Sequence, residues 1–302
     1  MALSEPRMQA QPPTAAGQMP QVETLVGGDV AAGLILSDAA GWNQVGDDWA
    51  LFIEHGHTLG CRDGEGRLIA TAAVLPYGAA AGWVSMVLVA EAWRHRGLAS
   101  ALVRECAAHL RASGAMPLLD ATTAGAAVYR CLGFAEGFAF DRWQSDAVSP
   151  AMDAGARDDA SAGIVHPAAP VDLDRIAALD AAASGLERRF LLARLLARAD
   201  TRAWLDADDQ GFIIARRGRR ATQVGPLVAE NGRQAVVLLG AALASSSGPM
   251  YVDVPAARQE TADWLERRGF RRQRSFVRMS LGAAFPPEID ERSFVLAGPE
   301  FG

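Results

Sequence analysis

The stretch AWRHRGLASALV, from Ala92 to Val103, sets Arg94, His95 and Arg96 against a glycine where a helix begins. Such crowding of like charge fits two situations: a helix start whose arginines are solvated, or a site where an anion neutralises them. The first N–H groups of a helix have no intrahelical partner and lie at its positive end. Gly97 opens backbone conformations closed to other residues, and Ala99 leaves the first turn uncovered. Amides arranged in this way suit a phosphate or pyrophosphate, to which Arg94 and Arg96 would add charge-assisted contacts. The loop is neither GxGxxG nor GxxxxGK[ST], so its own motif content is low.

Periodicity names the elements that must hold this loop in place. WVSMVLV, Trp83 to Val89, is nearly continuous in apolar character and reads as a central strand that runs into the loop. Downstream, Leu98, Leu102, Cys106 and Leu110 repeat at four-residue spacing, which predicts a helix over 98–112 closed by Gly114. PLLDAT (117–122) reads as a strand, AGAAVYRCL as a short helix containing Tyr129, and FAFDRW (138–143) as a strand entered through Gly133-Phe134. Upstream, DVAAGLILSDAAGW has helical spacing with Asp29 as N-cap. GHTLGCRDGEGRLIATAAVL reads as two strands around a turn at 62–66.

The chain has 302 residues, a length that fits about two domains. Half of it is hydrophobic and 21% charged, enough to bury cores. A net charge of −6 argues against nucleic-acid binding, which needs a basic surface. Three cysteines, Cys61, Cys106 and Cys131, make neither a disulfide framework nor a metal site and read as small buried apolar residues. Residues 1–19 read as a disordered leader, and no run approaches the ~18 apolar residues of a membrane helix. Together these features read as a cytoplasmic protein with no membrane, nucleic-acid or metal partner, and they are compatible with a homodimer.

Residues 146–169 lose periodicity and read as a linker between units at 20–145 and 170–302. The second unit repeats the words of the first. PMYVD (249–253) follows PLLD (117–120), Gly269-Phe270 follows Gly133-Phe134, RSFVRM follows FAFDRW, and Leu227-Val228-Ala229-Glu230 follows Leu88-Val89-Ala90-Glu91. Where the first copy continues Arg94-x-x-Gly97-x-Ala99, the second has Asn231-Gly232-Arg233-Gln234-Ala235, and Tyr129 corresponds to Leu265. Any chemistry therefore belongs to the first copy. Two other stretches read as structural. Arg216 to Arg220 is a hairpin turn with exposed arginines, and SGLERRFLLARLLARA (184–199) is an amphipathic helix packed on its own sheet. The tail AGPEFG (297–302) is odd, since apolar and Gly-rich ends usually fray; folding back toward the cleft between the units is one reading, and no role is assigned to it.

The order strand, Arg94-x-x-Gly97-x-Ala99, helix, strand, Tyr129-bearing helix, Gly-Phe, strand resembles the GNAT superfamily of acyl-CoA-dependent N-acyltransferases. The whole chain resembles its two-domain branch, in which a degenerate second unit follows the catalytic one. The resemblance implies an α/β fold of two tandem GNAT-like units, each a mixed, mostly antiparallel sheet flanked by helices. It implies acetyl-CoA as cofactor, its pyrophosphate held by Arg94, His95, Arg96, Gly97, Leu98, Ala99 and Ser100, and its arm laid along Val87, Leu88 and Val89, one amide of which faces the thioester carbonyl. It implies Tyr129 as general acid, although the ring could equally pack between helix and sheet.

By the same resemblance, the segment around Trp42, Asn43, Gln44 and Asp48, with Ser85, lines the pocket of an acceptor amine; the two tryptophans there, Trp42 and Trp49, also suit core anchors. The family's glutamate on the fourth strand is missing. Glu54, His57 and Asp120 are candidate bases, each also suited to a surface charge or turn cap, and ordered water is an equal alternative. The function implied is acetyl transfer from acetyl-CoA to a small-molecule primary amine in a ternary complex. A non-catalytic acyl-CoA sensor and a protein acetyltransferase are the competing classes.

Overall fold

The computed structural model of the chain describes residues 19–146, 165–282 and 289–302; the leader, but for Met19, and most of the linker lie outside them. The first unit runs β1 (Val22–Thr24), α1 (Val30–Ala39), α2 (Gly46–His55), β2 (His57–Arg62), β3 (Leu68–Tyr77), β4 (Ala81–Val89), α3 (Leu98–Ala112), β5 (Met116–Thr122), α4 (Thr123–Cys131) and β6 (Ala135–Ser145). The second begins with β7 (Val165–Ala168), inside the stretch read as linker. It continues through α5 (Leu173–Ser184), α6 (Arg189–Leu196), β8 (Thr201–Asp206), β9 (Phe212–Arg217), β10 (Thr222–Val228) and α7 (Gly232–Ala244). It ends with β11 (Met250–Pro255), α8 (Gln259–Glu266), β12 (Arg271–Ser280) and β13 (Ser293–Val295).

The apolar patterns set these elements down where burial demands. Nine of the ten residues of β3 are buried, because α1 and α2 cover one face of the sheet and α3 the other. The α3 stripe of Leu98, Leu102, Cys106 and Leu110 is fully interior and packs on β3, β4 and β5. The stretch read as one helix over 184–199 is two elements, because Gly185 at φ +70° closes α5 before α6 starts. Cys61 and Cys106 are buried as read, whereas Cys131 lies exposed at the end of α4.

Both units have the mixed sheet flanked by helices, with one addition: their sheets are joined. The strand order is β1-β2-β3-β4-β5-β12-β6-β11-β10-β9-β8-β7. The last strands have changed places, so that β12 of the second unit lies between β5 and β6, and β6 of the first pairs with β11. Phe140 and Phe276, equivalent by the repeat, face each other across the β6–β12 pair with rings stacked at 5.0 Å. On either side stands a reciprocal ion pair. Arg278 donates to Asp120 at 3.0 Å from both Nε and a terminal nitrogen. Arg142 does the same to Asp253 at 2.8 Å. Since Asp120 matches Asp253 and Arg142 matches Arg278, each unit lends its arginine to the other's aspartate.

Candidate functional site

β4 and β5 run parallel but pair only at Ala81–Met116, Gly82–Pro117 and Trp83–Leu118, and then separate. The gap so formed leads from the start of α3 to a cavity of about 320 Å³ that reaches Tyr129. At its outer end Gly97 has φ +83° and His95 φ +61°, a turn that aims successive amides outward. Among the described residues, no group accepts a hydrogen bond from the amides of His95 through Ser100; the first amide of the helix to find a carbonyl is that of Ala101, 3.0 Å from Gly97 O. A side chain at position 97 would meet no atom within 4 Å, so the glycine is required by its backbone angle rather than by crowding. Arg94 donates to Val89 O at 3.2 Å, and Arg96 lies over the Trp93 ring at 4.8 Å and donates to Ala92 O. Both guanidiniums are tethered at the rim, and neither has an acidic partner among the described residues.

Half-way along the gap β4 bulges. Met86, fully buried, has φ +52°, a conformation that costs a non-glycine residue roughly 1–3 kcal/mol. The Thr71 hydroxyl of β3 donates to Met86 O at 2.8 Å and so fixes that peptide. In a trans peptide the N–H points opposite to the C=O, so the Val87 amide is turned away from β3 and into the gap. On β4 the strained residue stands where a carbonyl-binding donor would be needed.

Tyr129 lines the cavity from α4, its ring tilted against Phe134 at 6.1 Å, and its hydroxyl makes no hydrogen bond among the described residues. Burial pushes the phenol up to about 12, so it remains protonated through the neutral range. Ser85 also lines the cavity, and among the described residues its buried Oγ has no partner, nor has Oε1 of Gln44, another lining residue. Buried polar atoms seldom remain unpaired; two of them on one cavity mark a wall built to meet something else.

The other expected acceptor residues divide. Trp42 lines the cavity. Asn43 also does, but its amide is committed. Oδ1 accepts from the Arg220 and Ala221 amides at 2.9 Å, and Nδ2 donates to Ala221 O at 3.1 Å, clamping the β9–β10 hairpin. Asp48 does not reach the cavity; its carboxylate accepts from the Val45 amide, which starts α2, and from Arg198 of the second unit, both at 2.9 Å. Polar residues at an inter-unit contact had the look of a substrate wall. Of the candidate bases, Glu54 is an exposed partner of Arg194 and His57 stacks on His109, both away from the cavity. Asp120 lines it, but both oxygens serve Arg278. Burial nonetheless raises the Asp120 carboxyl, with Arg278 opposing.

Much of the acceptor side comes from chain that sequence reasoning did not assign to it: Arg142 of β6, Tyr251 of β11, Gln273, Arg274 and Phe276 of β12, and Pro299 and Glu300 of the tail. The one usable signal was the repeat, which paired Asp120 with Asp253 and Arg142 with Arg278 without saying which arginine served which aspartate. Arg216, read as an exposed hairpin arginine, is buried and bonds the tail at Ala297 O and Glu300. Arg219 and Arg220 of the same turn are exposed and pair with Asp38.

The second unit shows the same plan closed. β10 and β11 also pair at three positions, Thr222–Met250 to Val224–Val252. Beyond them lies β13, antiparallel to β10 at Leu227 and Val228, while the Leu296 amide donates to Asp253 O of β11 at 2.9 Å. The chain's own segment fills that gap. At the head of α7 the Asn231 side chain accepts from the Gln234 amide, and Gln234 Oε1 accepts from the Glu230 amide. Leu265 stands, fully buried, where the first unit has Tyr129.

The model of the acetyltransferase (GNAT) family matches residues 35–134 and that of an acetyltransferase (GNAT) domain matches 176–294, together more than two thirds of the chain. No curated protein matches the sequence. Among solved structures, a putative acetyltransferase from Pyrococcus horikoshii superposes with TM-score 0.77 at 16% identity, over 97% of this chain and 100% of that one. A tandem GNAT protein from the clavulanic acid biosynthesis pathway gives TM-score 0.61 at 14% identity, over 88% of this chain and 100% of that one. A GCN5-related N-acetyltransferase from Kribbella flavida gives 0.54 at 20%, over 86% and 71%. At such identities the likeness speaks for the fold, and the two family models carry the assignment: the chain belongs to the GNAT superfamily of acetyltransferases and consists of two GNAT units.

Proposed function

We propose that the first unit transfers an acetyl group from acetyl-CoA to the primary amine of a small molecule, directly, with both substrates bound together. The observation that carries this reading is the open gap between β4 and β5, continuous from the unpartnered amides of His95–Ser100 to the free hydroxyl of Tyr129. Those amides, with Arg94 and Arg96 at the rim, would hold a pyrophosphate, and the edge of Val87, Leu88 and Val89 would hold the arm. The residues fit the group, because Ser85, whose buried Oγ has no partner among the described residues, lines the gap and the Val87 amide is turned away from β3. When bound, acetyl-CoA supplies an acyl carbon joined to a good leaving group.

The chain's own contribution is placement and protons. The Val87 N–H is poised to bind the carbonyl oxygen as negative charge gathers there. Tyr129 holds its proton at the hydroxyl until the departing sulfur becomes basic enough to take it. No cysteine of the first unit offers a nucleophile: burial raises the thiols of Cys61 and Cys106, and Cys131 is not among the cavity residues. This favours direct attack by the amine. A small acceptor is supported by the walls that β11, β12 and the tail add to a cavity of about 320 Å³, at the lower end of the range for small-ligand sites. The charge of −6 argues against nucleic acid, and among the described residues no helix is long and apolar enough to cross a membrane.

Calorimetric titration with acetyl-CoA, followed by thiol release across a panel of primary amines, tests the reading. Binding with amine-dependent thiol release is expected. Binding with release no faster than in buffer would leave an acyl-CoA sensor, and no binding at millimolar ligand would remove both.

A further inference from the structure

β4 carries no carboxylate, so nothing on the strand beside the bound arm can take a proton from the amine. The described chain supplies two carboxylates to the cavity wall, Asp120 and Glu300. Asp120 is locked to Arg278 through both oxygens. Glu300 is different: Arg216 engages Oε1 at 2.5 Å, its own backbone amide also bonds the carboxyl, and among the described residues no second side chain does. We propose that Glu300, delivered by the tail from the far end of the chain, is the group that grips the acceptor amine and receives its proton. The proposal rests on the acetyl-transfer reading above.

The route of the tail supports it. After β13 has filled the second unit's gap, the chain crosses into the first unit and is pinned on both sides of Glu300. Arg216 donates to Ala297 O at 2.7 Å and Trp83 Nε1 to Pro299 O at 3.0 Å. The Tyr77 hydroxyl and Arg188 donate to Phe301 O at 2.8 and 2.9 Å. The Phe301 ring, wholly buried, stacks on Phe52 at 5.4 Å. A tail anchored only for stability needs its apolar ring inside; it does not need a buried glutamate in the cavity wall between two such anchors. The groups that face Glu300 are Arg216 from β9, Arg142 from β6, Asp48 from α2 and Tyr77 from β3. Burial raises the carboxyl, against the pull of Arg216 and Arg142, which brings it closer to the pH at which a base works well.

The transfer balances with these two side chains. The amine nitrogen forms its bond to the acyl carbon and gives one proton to Glu300, the bond from carbon to sulfur breaks, and the Tyr129 hydroxyl protonates the sulfur. Solvent then returns Tyr129 and Glu300 to their starting forms.

The decisive variant is Glu300→Gln, which keeps an oxygen for Arg216. With acetyl-CoA and the amine that the panel shows to be turned over best, kcat per folded enzyme should fall ~10²-fold or more while acetyl-CoA affinity stays near wild type; the unfolding midpoint falls as well, because the buried Arg216 loses its ionic partner. Glu300 must be ionised, so activity is lost as pH falls through its pKa. The wild-type kcat should show an acid limb above the ordinary carboxylate range, absent from the variant, and Glu300→Asp should restore part of the rate. A Gln variant within threefold of wild type that keeps the limb overturns the proposal and leaves acetyl transfer standing. A wild-type profile without that limb overturns it even should the variant not fold. If no amine releases thiol, both readings fall together.

Discussion

Two gaps of the same construction lie in this molecule, each opened where a parallel pair of strands parts after three pairings. Between β4 and β5 the gap is lined by a turned amide at Val87 and headed by six unpartnered amides. Between β10 and β11 it holds β13, and Asn231 and Gln234 close its head. The residue preceding the shared Leu-Val-Ala-Glu word is Val87 in the first copy and Pro226 in the second, and proline has no N–H to offer. Tyr129 is matched by Leu265. The two units thus keep one geometry with different occupants: in the second a strand of the chain itself satisfies the splayed edges, and on the proposed reading the arm of a cofactor does so in the first.

The largest effect that would break this comparison is chemical. Tyr129→Phe should lower turnover by ~10²–10⁴-fold with acetyl-CoA affinity nearly unchanged, while Leu265→Tyr should restore nothing; equal loss of rate and affinity would give Tyr129 a packing role. Because burial lifts the phenol to about 12 and the acid form is the one required, no alkaline fall in kcat below about pH 11 should trace to Tyr129. Next are the reciprocal ion pairs. Removing one partner of a buried pair costs ~3–5 kcal/mol, so Asp120→Ala and Asp253→Ala should lower the free energy of urea unfolding by similar amounts, each partly offset when its arginine is removed too. Unequal losses would break the pseudo-symmetry.

Smaller is the loop contrast. Gly97→Val forces a side chain into the left-handed region at ~1–2 kcal/mol and should weaken acetyl-CoA binding roughly tenfold by calorimetry. Gly232→Ala in the second unit should leave it unchanged. The same titration should saturate at one acetyl-CoA per chain; a stoichiometry of two would mean that β13 leaves its gap.

The legible parts of the molecule were those that one stretch of chain settles alone. Gly97, the α3 stripe and Tyr129 declare themselves within a few residues, since a helix start and an apolar period are local facts. The acceptor wall was not legible, because β12 reaches it from more than 150 residues away and pairing over such a distance leaves no local trace. The commitments of Asn43 and Asp48 were not legible for the same reason: Asn43 does line the cavity, but a polar residue's type shows what it can bond, not whether the hairpin at Ala221 or the guanidinium of Arg198 will claim it first. The tail's oddly apolar end hinted at a fold back toward the cleft, but nothing local marked Glu300, because the four hydrogen bonds that anchor the tail all come from distant residues.

The exchange of last strands has a consequence for the order in which the molecule is made. While the ribosome is still synthesising the second half, β5 has no neighbour on its outer side, and β6 lacks both β11 and β12. The nascent first half therefore carries a bare sheet edge and an unfinished cavity, and since pairing across such spans is slow, that edge is exposed for longer than in a one-unit relative. The finished cavity, with Phe276 and Glu300 in its wall, exists only once the far end of the polypeptide has emerged and threaded home, so a ribosome-bound chain halted anywhere before β12 should be inert.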